Sequence, residues 1–62
     1  MRETKLLQRR LEKGYTQQKV AEIARVAIRT YQSAEYGQRV PNVDTANRIA
    51  QALDTTVDRL FA

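Results

Sequence analysis

The chain has 62 residues, with 11 Lys plus Arg against 7 Asp plus Glu and a formal charge of +4, giving a sequence pI near 10; one small basic domain over residues 1–62 is expected, with no room for a second. It contains no Cys and no His, which excludes disulfides, thiol nucleophiles, imidazole bases and Cys/His zinc sites, so no metal and no cofactor is expected. No apolar run exceeds three residues, which excludes a bilayer-spanning helix and a signal-peptide core, and the expected compartment is the cytosol.

Gly14, Gly37 and Pro41 are the only Gly and Pro residues, and no strand-length window alternates β-branched with polar positions, so the pattern is all-helical. Helix 1 is expected over about residues 3–13, with Leu6, Leu7, Arg10 and Leu11 on one face and Gly14 as its stop. Thr16 can cap helix 2, over residues 17–24, whose apolar side is Val20, Ala21, Ile23 and Ala24. A third helix is expected from Ala27 to Tyr36, ended by Gly37 and by the loop that leads into Pro41. Asn42 or Asp44 then caps a fourth. In it Val43, Ala46, Ile49, Ala50 and Leu53 follow the i, i+3, i+4, i+7 spacing of an amphipathic helix that ends near Asp54. Thr55 or Thr56 caps a last short turn with Val57, Leu60 and Phe61 on one side.

The charge is unevenly placed. Residues 1–40 hold nine Lys or Arg and four Glu, a balance of +5, while residues 41–62 hold two Arg and three Asp. One reading is a surface that meets a polyanion, either nucleic acid or an anionic membrane; the other is chance in a small soluble protein. No helix combines a cationic face with large apolar anchors, which argues against the membrane. On a helical wheel Ala27, Tyr31 and Ala34 fall within about 60° of arc, and Gln32, Tyr36, Arg29 and Ser33 within about 100° on the other side. The third helix therefore has one apolar and one hydrogen-bonding face.

The run Thr16-Gln17-Gln18-Lys19-Val20-Ala21-Glu22-Ile23-Ala24, a short turn, and a helix closing in Glu35-Tyr36-Gly37-Gln38-Arg39-Val40-Pro41 resembles the Cro and phage-repressor (Xre-type) helix-turn-helix family. Ile49-Ala50-Gln51-Ala52-Leu53, followed by Val57-Asp58-Arg59-Leu60-Phe61, is similar to the closing segment of that family, so the resemblance covers essentially the whole chain. It implies an all-α, compact five-helix, lambda-repressor-like DNA-binding domain with the helix-turn-helix at helices 2 and 3, about residues 16–36. The implied function is a sequence-specific regulator of transcription, a repressor that binds double-stranded DNA in the major groove as a homodimer on an inverted repeat. The implied setting is bacterial or phage-encoded, cytoplasmic and nucleoid-associated, with no small-molecule ligand evident. The alternative is an antitoxin or protein-interaction module on the same fold. An enzyme is not expected, because no convergent carboxylate pair, phosphate-cradling Gly loop or nucleophile with its base is found.

Within the motif, Ala21 is the small residue where the two helices approach, and Val20, Ala24, Val26, Tyr31 and Ala34 line the seam. Arg29 can present two donors to guanine O6 and N7, Gln32 can pair with adenine, and Ser33 suits several bases. Two readings of Ile28 stand, contact with a thymine methyl or packing against the neighbouring turn. The resemblance places Gln17 on a phosphate, its plainer reading being a helix-start residue, and assigns Tyr36, Gln38 and Arg39 to the backbone across the groove. Arg9, Lys13 and Lys19 would add long-range attraction. Arg10 and Glu35 match the positions of a buried ion pair in the family. Val57, Leu60, Phe61 and the Val40–Val43 loop are the candidates for a dimer contact, their other reading being ordinary core. Two positions depart from the pattern: Arg25 stands where the turn usually has Gly, and Ala27 where a Ser or Thr cap is usual. Either the turn differs locally or the strain is tolerated; Arg25 can also bring its guanidinium near a phosphate.

Overall fold

The computed structural model describes residues 4–61. Among them are five helices and no strand: α1 (Lys5–Lys13), α2 (Gln17–Ala24), α3 (Ile28–Glu35), α4 (Val43–Ala52) and α5 (Val57–Phe61). Side-chain oxygens set most of the starts, because each accepts an N–H that the first turn leaves without a helical partner. Thr4 Oγ1 accepts from Leu7 N at 3.1 Å, Thr16 Oγ1 from Lys19 N at 3.0 Å, Asn42 Oδ1 from Thr45 N at 2.8 Å and Thr56 Oγ1 from Arg59 N at 3.3 Å. The choices left open by sequence thus fall to Asn42 and Thr56. Thr4 in extended backbone holds the start of α1 at Lys5 rather than near residue 3.

Four helix ends share one device. Gly14, Arg25, Gly37 and Asp54 all have positive φ, at 72°, 60°, 73° and 54°. After each of them the next N–H reaches back to a carbonyl five residues earlier: Tyr15 to Arg10, Val26 to Ala21, Gln38 to Ser33 and Thr55 to Ala50. That is the left-handed helix stop, which satisfies carbonyls the last turn would otherwise orphan. It ends α4 at Ala52, with Leu53 as its cap, short of the expected limit near Asp54. The third helix is likewise shorter than expected by one residue at each end, with Ala27 and Tyr36 as caps outside it.

The core is built from Leu6, Val20, Tyr31, Ile49, Leu53 and Leu60, with Ala21, Ala24, Ala34 and Ala50 between them. Alanines at the approach points let α2 lie close against both α3 and α4, while α1 packs on α5 and α3. Three residues expected on apolar faces are exposed instead: Leu11 is 56%, Ile23 43% and Val43 77% exposed. Each lies at the edge of its helix's apolar arc, and spacing alone does not say how wide an arc the neighbours cover. Arg9 ties α1 to the end of α4, its Nε donating to Leu53 O at 2.8 Å and its Nη2 to Asp54 O at 3.0 Å. Lys13 Nζ lies 2.7 Å from Asp54 Oδ2, a contact that raises the Lys13 pKa and lowers that of Asp54.

Candidate nucleic-acid interface

The helix pair is set by its seam. Val20, Ala21 and Ala24 of α2 face Tyr31 and Ala34 of α3, all buried, and Val26 in the turn packs against them half-buried. Arg25 adopts the left-handed turn conformation in full, with φ 60° and ψ 46°, so the departure from Gly leaves the turn geometry intact. Its carbonyl accepts from Arg48 Nη1 at 3.4 Å.

With the seam buried, the other side of α3 faces out. Ile28 is 39% exposed, Arg29 and Thr30 are exposed, and Gln32 and Ser33 are half-buried. Tyr36, the helix's last cap, is exposed, as are Gln38 and Arg39 in the following loop. That loop is anchored rather than loose, since both Gln38 N and Arg39 N donate to Ser33 O, at 2.9 and 3.3 Å. Between α3 and the loop lies an open cleft of about 340 Å³, bordered by Arg29, Ser33 and Arg39 and by Asn42 and Thr45 at the start of α4.

Beneath this face sits a buried carboxylate. Glu35 is 1% exposed, and its Oε1 accepts from Arg10 Nε at 2.5 Å and from Tyr31 Oη at 2.9 Å, while its Oε2 accepts from Gln17 Nε2. Arg10 Nη1 also donates to Tyr15 O at 2.8 Å, and the Glu35 hydrogen bond raises the Arg10 pKa further. Burial, then the bond to Glu35, pushes the Tyr31 phenol well above its ordinary value. Every polar side-chain atom buried here has a partner, the condition under which a buried charge is tolerated. The network continues outward: Gln17 Nε2 donates to Tyr36 Oη at 3.0 Å, and Gln32 Nε2 donates to Gln17 Oε1 at 3.2 Å. Sequence reasoning missed these last two bonds. The available signal was the shared face of Gln32, Glu35 and Tyr36 on the third helix, which any partner to one would meet together.

Ion pairs divide the cations by location. Arg9, Arg10, Lys13 and Arg48 each have a carboxylate partner. Among the described residues, Lys19, Arg25, Arg29, Arg39 and Arg59 form no ion pair, and all but Arg59 belong to the helix pair, its turn or the loop after it. Of the unpaired ones, Arg29 on α3 and Arg39 in the following loop border the same cleft.

The remaining sequence candidates are those for a dimer contact. Leu60 is 6% exposed and belongs to the chain's own core, so it has almost no area left for a second copy. Val57 and Phe61 pack half-buried against that core, whereas Val40 and Val43 are 86% and 77% exposed. Groups of acidic residues that could hold a metal are absent among the described residues, and no helix there is long and apolar enough to cross a membrane.

Comparison with curated proteins and with solved structures finds no match. Comparison with protein families finds one, the helix-turn-helix family, over residues 6–60. That span takes in the seam, the exposed face of α3 and the closing helices alike, and the chain belongs to this Cro/C1-type helix-turn-helix family of DNA-binding regulators.

Proposed function

We propose that the chain is a sequence-specific repressor that docks α3 in the major groove of double-stranded DNA and acts as a homodimer on an inverted repeat. The observation that carries this reading is a pair of cations without a carboxylate partner on one cleft: Arg29 of α3 and Arg39 of the following loop border it together, and Lys19 on α2 and Arg25 in the turn are unpaired as well. A polyanion releases its counterions to such a surface, and the gain scales with the number of phosphates met.

Within the groove Arg29 reads guanine through O6 and N7. Gln32 has one N–H engaged by Gln17, which leaves its carbonyl and second N–H, the pair that adenine requires. Ser33 contributes an adaptable hydroxyl, and Ile28, partly exposed at the start of the helix, meets a thymine methyl. Tyr36, Gln38 and Arg39 hold the backbone on the far side, and the N–H groups at the start of α2, at Gln17, hold it on the near side. One helix reads only a few base pairs, so two copies spaced by one DNA turn, about 34 Å, supply the missing specificity. Val40 and Val43, both exposed, and Phe61, half-buried against the core, are the apolar residues available for that second copy.

The test is a fluorescence-anisotropy titration of labelled duplexes from the DNA beside the protein's own gene, repeated across salt concentrations and against unrelated sequence. The expected result is tight binding to one inverted repeat that weakens steeply with salt. Binding indifferent to salt, or equal on every sequence, overturns the reading.

A further inference from the structure

Glu35 fixes the hydrogen-bond polarity of groups that lie outside the core. Its carboxylate, ionised against Arg10, can only accept, so the atom of the Gln17 amide that faces it must be the nitrogen. That orientation settles two others. Gln17 Oε1 must accept, so Gln32 turns its amide nitrogen inward and its carbonyl toward solvent. Tyr36 Oη accepts from the same Gln17 nitrogen, so the phenolic proton is directed elsewhere, from a side chain that is 56% exposed. Both N–H bonds of the Gln17 amide are then engaged inside the protein, one by Glu35 and one by Tyr36, and no side-chain donor remains for a phosphate.

We infer that Gln17 is a positioning residue. Its side chain does not bind DNA; it transmits the polarity of the buried Arg10–Glu35 pair to Tyr36, which donates its hydroxyl proton to a backbone phosphate, and to Gln32, which presents its carbonyl to a base. The inference rests on the DNA-docking reading given above.

The experiment is a set of affinity measurements on the preferred duplex with Tyr36→Phe, Gln32→Ala, Gln17→Ala, the Tyr36→Phe/Gln32→Ala double variant and the triple variant. Thermal melts of each check folding. Tyr36→Phe is expected to weaken binding roughly ten- to a hundredfold, the worth of one hydrogen bond to a charged group, with an unchanged salt slope because no cation is removed. Gln17→Ala alone weakens binding to a similar degree, yet added to the double variant it changes affinity less than about twofold. A loss of threefold or more in that background means Gln17 makes its own DNA contact and overturns the inference. Tyr36→Phe without effect overturns it as well, while intact wild-type binding leaves the docking reading standing. If the wild-type chain fails to select any duplex, the docking reading itself falls.

Discussion

Arg29 stands on the exposed side of α3 with no acidic neighbour in ion-pair range, which leaves its five donors available to a base. On the proposed docking, replacing it with alanine removes a bidentate contact and nothing from the core. The expected loss is about 1–3 kcal/mol of DNA affinity, with relaxed preference at one base pair; unchanged affinity in an anisotropy titration would remove Arg29 from the reading set. Glu35 is the opposite kind of residue. At 1% exposed it anchors Arg10, Tyr31 and Gln17 together, and Glu35→Ala strands the Arg10 guanidinium in a cavity without its counter-charge. Urea melts of that variant are expected to show a loss on the order of 3–5 kcal/mol. A loss within about 0.5 kcal/mol, the range of ordinary surface substitutions, would mean the pair is solvated in solution.

At the scale of elements, the two departures from the family's usual residues lead to opposite local states, and both are open to repair. Ala27 has the extended backbone of a helix cap, with φ −65° and ψ 143°, but no side-chain hydrogen bond to offer α3. Ala27→Ser supplies the missing acceptor and is expected to stabilise the chain by about 1 kcal/mol in thermal or urea melts. Arg25 holds a left-handed conformation that hinders any residue with a Cβ, so Arg25→Gly is expected to gain about 1 kcal/mol of stability. If the Arg25 guanidinium meets a phosphate, the same substitution lowers the salt slope of DNA binding by about 1.

Most of this architecture was legible in the sequence because helix ends have chemical markers. Thr16 fixes its boundary by the hydrogen bond its hydroxyl accepts, and Gly14 and Gly37 fix theirs by the left-handed dihedrals that the lack of a Cβ permits. The end of the fourth helix near Asp54 was legible too, but the positive φ of Asp54 was not, since nothing local marks that residue for it until Thr55 N reaches Ala50 O. The exposed face of α3 was visible from period alone. The tie between Gln17 and Gln32 was not, because it joins positions 15 apart in the chain; only the face that Gln32 shares with Glu35 on α3 marked one half of it.

For the molecule as a whole, stability is tied to the protonation of one phenol. Tyr31 is 0% exposed, and burial followed by its bond to Glu35 raises its pKa above the ordinary 10.0. A raised folded-state value favours the protonated form, so this contribution is complete below the unfolded value and is lost as pH rises above it. Unfolding free energy from urea melts is therefore expected to fall above pH 10.0, and Tyr31→Phe should flatten that limb. A Tyr31→Phe variant that keeps the same alkaline fall would assign it to other groups.

The division of α3 also bears on how such a protein changes its target. Tyr31, Ala34 and Glu35 are held by the interior, but Ile28 and Arg29 lie outside the core, and the Ser33 carbonyl, not its side chain, anchors the following loop. Mutations at 28, 29 and 33 can therefore drift freely with respect to stability, so that new operator preferences arise by single steps through folded intermediates. Position 32 is excluded from that freedom by its bond to Gln17. On the proposed docking, the half-site letters read from 28, 29 and 33 should turn over along a lineage, while the one read from 32 should change only together with Gln17.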